Sequence, residues 1–509
     1  MEDVPIESAP QNNAMSGTET SGAQFSQDET GARVMRDEQD AQASFVRMRR
    51  WRKGILGLSV ALVLIMTISF VASRNQNDTS PSPWQLVGGE SLRVDENLND
   101  FAGSTDTYTN FGGQVKVDLD ANRLAVAKKG LNGAGGAVHV YSHLHPDTLV
   151  PHPNQWFLET VLQVPLPQSG SLAHDDIAMD MSESGNHIVF NQGNTIHIYL
   201  LDGSGRISWK PMGDPIVLPA NHPLTSIYGS QIAMSGDGRY IAVLGYDSAS
   251  ISNAFVDIFH YQFNQMNGQI LDEWDLVYTL DLQSNGPGGS LAFDTLGKRL
   301  VVGEPAQNDL GAKISSYVRV DDTPMQWAQE DDALHADPSL AITAVFDKVV
   351  SLSGDGKRLA YGSVDGQENA VGVLELRQDV QGPPYWFSLG HIASPATLPH
   401  QNFGASVAIS MDGKRLAVGA PGTPDLDLKG DKKLEKYLHG QVYLYQYNEA
   451  LQKWTEVAPP KTSAYPADGL GTSVSIEENG FTVAVGAPLR SPVQGQTTGA
   501  VEVFRINSY

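Results

Sequence analysis

Residues 402–422 read NFGASVAISMDGKRLAVGAPG, two short apolar runs (SVAIS and RLAVGA) around a tight MDGK. The same grammar recurs at Gln231 (QIAMSGDGRYIAVLG) and at Val349 (VVSLSGDGKRLAYGS). With Leu416 as anchor, the equivalent apolar residues are Leu124, Ile188, Ile241, Leu300, Leu359 and Val483, at intervals of 53 to 67 residues. That makes seven copies, each long enough for four strands and their loops. The turn position of Gly413 is occupied by Gly185, Gly238, Gly297, Gly356 and Gly480, with only Ala121 departing. A hairpin turn needs positive φ at such a position, which glycine supplies without steric cost, so the two runs are adjacent antiparallel strands.

The other columns extend the unit. At the entry to the first strand stand Gly112, Asp176, Gly229, Gly288, Asp347, Gly404 and Gly471. Mostly small residues here suit a crowded axis where seven inner strands converge. After the second strand comes glycine and sometimes proline, then a loop of variable length, then an alternating third strand: GAVHVYSH, GQVYLYQY, GAVEVFRI. A fourth element carries a tryptophan in six copies: Trp156, Trp209, Trp274, Trp327, Trp386 and Trp454. Such recurrence at one blade position argues for packing between neighbours rather than a sugar platform. The seventh copy ends at Tyr509 without one, while WQLVGGE stands unattached at Trp84, ahead of the first copy. That N-terminal strand would complete the last unit and close a ring. The expected fold is therefore all-β, a seven-bladed β-propeller with four-stranded blades.

The quoted stretch resembles the FG-GAP repeat of the integrin α-subunit propeller. FGASVAISMDGKRLAVGAP followed by GQVYLYQY carries that family's Phe-Gly, Gly-Ala-Pro and Gly-x-Val-Tyr-x-Tyr in order, and LGTSVSIEENGFTVAVGAPLR with GAVEVFRI nearly so. The third and fourth copies match in part, and the first, second and fifth only in their apolar pattern. The resemblance implies a seven-bladed propeller, extracellular recognition, and calcium in some blades held by acid-rich turns. Here the turns SGDG, SGDG and SMDG hold one carboxylate, and the spaced pair of aspartates survives only as Asp118 and Asp120 in the first copy, which is few for a hard cation wanting six to eight oxygens. The S-x-D-G-x-x-L-A turn also resembles the structural turns of WD-like and TolB-type propellers.

Outside the repeats, residues 54–73 (GILGLSVALVLIMTISFVAS) are 20 uncharged residues. As a helix they reach roughly 30 Å, one hydrocarbon thickness. RMRRWRK (47–53) precedes them and only Arg74 follows closely, so the positive-inside bias expects a type II anchor with residues 1–53 cytoplasmic. Residues 1–53 read as a disordered tail, 74–83 as a stalk with a glycosylation sequon at Asn77, and 84–509 as the propeller. Of the chain's 34 basic and 58 acidic residues, eight and nine lie in residues 1–74, which leaves 26 and 49 beyond, a net of −23. Such a domain repels nucleic acid and suits cations or basic partners. There is no cysteine, which excludes disulfides and thiol chemistry.

Candidate sites are sparse. Asp425, Asp427 and Asp431 are spaced to face calcium, beside Lys429, Lys432 and Lys433; His143, His145 and His152 are spaced to face zinc. Asp175, Asp176, Asp347 and Lys348 are charges at strand entries, expected at the channel mouth. The expected function is a membrane-anchored extracellular or lumenal binding or adhesion module for a protein or glycan, without a cofactor. The alternatives are a propeller hydrolase acting on glycans through channel-mouth acids, and a surface scaffold.

Overall fold

The structure, a computed structural model, describes residues 82–506 apart from 89, 94–107, 130–135, 146–149, 164–176, 203–206, 224, 248–253, 267–268, 283–288, 305–312, 323–324, 331–348, 366–367, 380–381, 396–401, 423–438 and 492–496. The proposed tail, membrane span and stalk fall outside these residues. Among the described residues no helix is long and apolar enough to cross a membrane.

The described strands form seven sheets, each with four strands in antiparallel order, and Tyr108–Phe111 adds a short parallel pairing to Thr497–Ile506 in the last. Blade 6, which holds the quoted stretch, runs Ser406–Ile409, Arg415–Ala420, Gln441–Asn448 and Lys453–Glu456. Blades 1 to 5 begin with the inner strands Val115–Val117, Met179–Met181, Ser226–Met234, Ser290–Phe293 and Val350–Leu352. Blade 7 takes Ser473–Ile476, Thr482–Ala487 and Thr497–Ile506 from the end of the chain and Trp84–Leu86 from its front. The register is antiparallel, Trp84 opposite Ile506 and Leu86 opposite Phe504. The expected closing strand is present.

Closure lets every blade bury both faces. Seven apolar clusters fill the seven interfaces, including Phe111, Leu124, Ala484 and Val501 between blades 7 and 1 and Trp84, Val483, Phe504 and Leu444 between blades 6 and 7. Each outer-strand tryptophan packs on the blade before it. The Trp209 indole donates to Glu159 of blade 1 at 2.7 Å, Trp274 to the Met212 carbonyl of blade 2 at 2.9 Å, and Trp84 to the Pro459 carbonyl of blade 6 at 2.7 Å.

Glycines at the strand entries sit in the left-handed region, Gly112 at φ 88°, Gly229 at 81°, Gly404 at 88° and Gly471 at 96°. Their crowding differs from the expectation of a packed axis, because the neighbour is the preceding blade. A Cβ on Gly471 would lie 2.6 Å from the Gln441 carbonyl oxygen of blade 6, and one on Gly112 2.6 Å from that of Ala500 in blade 7. From the other side, a Cβ on Gly419 would lie 2.1 Å from the Gly471 oxygen, and one on Gly486 1.9 Å from that of Gly112. The Phe-Gly of one blade thus seats on the Gly-Ala-Pro of the blade before it.

The turns between first and second strands form a second belt. In blade 3 the Gly238 amide donates to the Ser235 carbonyl at 2.8 Å, while Asp237 accepts from the Ser235 hydroxyl (2.6 Å) and the Arg239 amide (3.0 Å). Asp237 is outside the left-handed region; only Gly238 is in it, at φ 75°. The turn residues also bond from blade to blade: Leu119 N to Glu183 O, Glu183 N to Gly236 O, Asp237 N to Thr295 O, Thr295 N to Gly354 O, Gly354 N to Met411 O, and Glu478 N to Leu119 O across the closure, at 2.8–3.1 Å. Arginines after the turns reinforce this belt. Arg123, Arg299 and Arg358 donate to the carbonyls of Gly185, Gly356 and Gly413 in the next blade.

Ala121 is the one side chain forced to φ 52° in the turn-glycine column. Ala121→Gly should raise stability by about 0.5–1 kcal/mol, the relief of left-handed strain less glycine's extra unfolded-state entropy. Gly238→Ala should cost at least about 2 kcal/mol, since its Cβ would also lie 2.6 Å from His187 Nδ1. Urea midpoints at constant m-value would report both.

Candidate functional site

Loops after the second strands and loops entering each blade lie at one end of the ring. Beneath them a single third-strand position, opposite the residue two beyond each anchor, holds His139, His197, Asp257, Ser315, Gly372, Tyr443 and Glu502. This column was missed in the sequence, although the strings GAVHVYSH, GQVYLYQY and GAVEVFRI carry three of its members. Backbone alternation puts these positions on one face of their blades, and three of them make unlike contacts there.

In blade 7, Glu502 takes part in a buried charge cluster. Arg490 is 1% exposed and donates through Nε and Nη2 to Asp468 Oδ2 at 2.9 and 2.7 Å. Its Nη1 reaches Glu502 and, at 2.9 Å, Ser91 Oγ. Asp468 also accepts from Ser463 Oγ (2.5 Å) and the Leu470 amide (3.0 Å). Burial opposes the guanidinium charge, but Glu502 and Asp468 more than offset it and hold its pKa above the ordinary value. Breaking such a cluster leaves an uncompensated buried charge. It ties together the loop entering blade 7, the loop after its second strand, and the segment following the closing strand.

Blade 3 has a smaller counterpart. Asp257 is fully buried and accepts from Thr279 Oγ1 at 2.7 Å; the His222 ring, from the loop entering the blade, lies 3.0 Å from it and stacks on Phe255 at 3.6 Å. A histidine held by a carboxylate is the orienting half of a general-base arrangement. Among the described residues no hydroxyl bonds the other ring nitrogen of His222, so the pair fastens the loop.

In blade 1, His139 occupies the place of Tyr443. Phe111 meets it edge-on at 5.4 Å and 84°, as Phe403 meets Tyr443 at 5.1 Å and 81°. Blade 1 therefore carries the Phe-Gly arrangement in full, where the sequence reading had assigned it only an apolar pattern; the repeated NFG at Asn110 and Asn402 was the available signal. His139 is 1% exposed, neither ring nitrogen has a hydrogen-bond partner among the described residues, and burial pushes its pKa down to about 4.

Of the sequence candidates, Asp118 and Asp120 are described. Asp118 Oδ1 accepts the Asn122 and Arg123 amides at 2.7 and 3.0 Å and burial pushes its pKa up to about 7, so this carboxyl serves the turn; Asp120 is exposed. His143 stacks on Trp156 at 3.9 Å with Nδ1 on the Gln155 carbonyl, and the His145 and His152 rings are 6.1 Å apart. Among the described residues no group of three His, Asp or Glu is placed to hold a metal ion. Asn77, Asp175, Asp176, Asp347, Lys348, Asp425, Asp427 and Asp431 lie outside the described residues.

No protein-family model matches the chain, and no curated protein matches it. Among solved structures it is similar to an oligogalacturonate lyase from Vibrio parahaemolyticus, at 10% identity over 82% of this chain and 96% of that one, TM-score 0.44. It is similar also to the Cps50 (Swd1) β-propeller domain of Myceliophteria thermophila, at 9% over 79% and 98%, TM-score 0.44. A third is the periplasmic gluconolactonase of Pseudomonas aeruginosa, at 12% over 70% and 89%, TM-score 0.40. At these values the fold assignment rests on the strand registers above and not on the likeness.

Asp118 and His139 should give opposite pH dependences. The folded value of Asp118 lies above its ordinary 3.8, so its contribution falls as pH rises from about 4 to about 7. That of His139 lies below its ordinary 6.5, so stability is lost as pH falls from about 6.5 to about 4. Relative to the parent, Asp118→Asn should steepen the acid loss and His139→Phe should flatten it, each by about 2–4 kcal/mol across the window. Urea titrations from pH 4 to 7.5 measure this; profiles parallel to the parent's would contradict the assignments.

Proposed function

We propose that the chain is a single-pass membrane protein displaying its propeller outside the cytoplasm as a binding or adhesion module for a protein or glycan. Residues 54–73 would span the bilayer, with the basic cluster 47–53 on the cytoplasmic side. The loops after the second strands and those entering each blade would form the recognition surface.

The observation that carries this reading is the use of the charged groups beneath those loops. Arg490, Asp468 and Glu502 bind one another, and Asp257 binds His222. These groups are engaged with one another and hold loop ends in place. Rigid loop ends on a closed scaffold favour recognition, because less ordering entropy is lost on binding. The FG-GAP likeness fits the same reading as architecture, since its glycines are spent on contacts between blades.

The full chain in detergent, probed on glycan and extracellular-protein arrays with and without calcium, should give saturable binding that needs no calcium. Binding to nothing, together with turnover of a glycosidic substrate that Asp176→Asn or Asp347→Asn abolishes, would replace this reading with a hydrolase. A glycan on Asn77 in cells that glycosylate in the secretory pathway is the expected result for the orientation.

A further inference from the structure

A cleft of about 580 Å³ opens at the seam where the ring closes. Gln85–Gly88 form one wall, His152–Gln155 of blade 1 a second, and Arg505 of blade 7 a third. Its volume falls in the range of small-molecule sites. It lies toward the turn end of the ring, since Arg505 pairs with Thr482, the first residue of the second strand of blade 7 after its turn.

Arg505 sets the chemistry. Arg123, Arg299, Arg358 and Arg490 each hold a carboxylate of the protein. Arg505 is half-buried in the cleft and forms no hydrogen bond or ion pair through its side chain among the described residues. Among the described residues no Asp or Glu lines the cleft, on a chain of net charge −24. A partly desolvated guanidinium presents a planar fork of donors that fits a carboxylate through two parallel bonds. Gln85, Asn154 and Gln155 add amide groups around it, while Leu86, Val87 and Pro153 add apolar surface.

We propose that this cleft binds a small carboxylate-bearing molecule, its carboxylate in the fork of Arg505 and its body against Leu86, Val87 and Pro153. A singly charged carboxylate matches the single guanidinium. A phosphate dianion would leave charge uncompensated in a partly desolvated site. The ligand would touch the closing strand, blade 7 and blade 1 together and so stabilise the seam. This site is separate from the recognition loops and stands whether or not they bind a partner.

The test is calorimetric titration of the full chain in detergent with acetate, L-lactate and D-glucuronate, and with inorganic phosphate as the tetrahedral comparison. The expected result is one-to-one binding of at least one carboxylate, with a thermal midpoint that climbs with its concentration. Arg505→Gln should weaken that binding by about 10- to 100-fold, the loss of a charge-assisted pair. Asn154→Asp, at an exposed loop position, should weaken it too by placing a fixed negative charge in the cleft. It also guards against a folding defect in the first variant. No carboxylate binding up to about 10 mM, the scale of negligible affinity, binding of phosphate alone, or binding unchanged in both variants would overturn the proposal.

Discussion

Three residues, Trp84–Leu86, hold the ring shut by pairing with a strand more than 400 positions away. Without that pairing, blade 7 would show an open edge, the blade 6–blade 7 interface would lose Trp84 and Leu86, and the closing interface between blades 7 and 1 would lose the Val87 that follows them. Every other interface is made by neighbours in sequence, so only this one must recover the entropy of closing the whole chain. The structure concentrates contacts there. Trp84 packs edge-on against Phe504 at 5.6 Å, Val87 donates to the Val503 carbonyl, Leu92 and Val501 exchange backbone bonds, and Arg490 draws in Ser91.

The repeated motif takes its meaning from the same geometry. Gly419 and Gly471 belong to different blades, yet neither can carry a Cβ because each backbone lies against the other. The turn glycines obey a related limit, for Gly413 packs on Arg358 and Gly480 on Arg415 of the blade before. Positive φ at the turn and close approach between blades therefore select the same residue for two reasons. Acids in these turns cap backbone amides, as Asp237 and Asp412 do, and a metal is not needed to explain them.

Much of the architecture was legible because it is periodic. The anchors Leu124 to Val483, the turn glycines and the tryptophans repeat at blade spacing, and the unattached Trp84 marks the closure. The candidate chemistry was less legible because its partners are not periodic. Asp257 and Glu502 share a column, but one meets His222 from the loop entering its blade and the other Arg490 from the loop after a second strand, and the sequences of these loops do not repeat. His139 hid its kinship with Tyr443 by changing residue type while keeping ring geometry. Arg505 looks in sequence like any exposed strand arginine; only the packing of two remote segments makes it the wall of a cleft.

Hydrogen exchange at the amides of Trp84–Leu86 in the full chain tests ring closure most directly. The account predicts protection comparable to that of Ala500–Ile506, the strand they pair with, because the two should open together. Exchange of Trp84–Leu86 at the rate of an unstructured chain, with Ala500–Ile506 still protected, would contradict it.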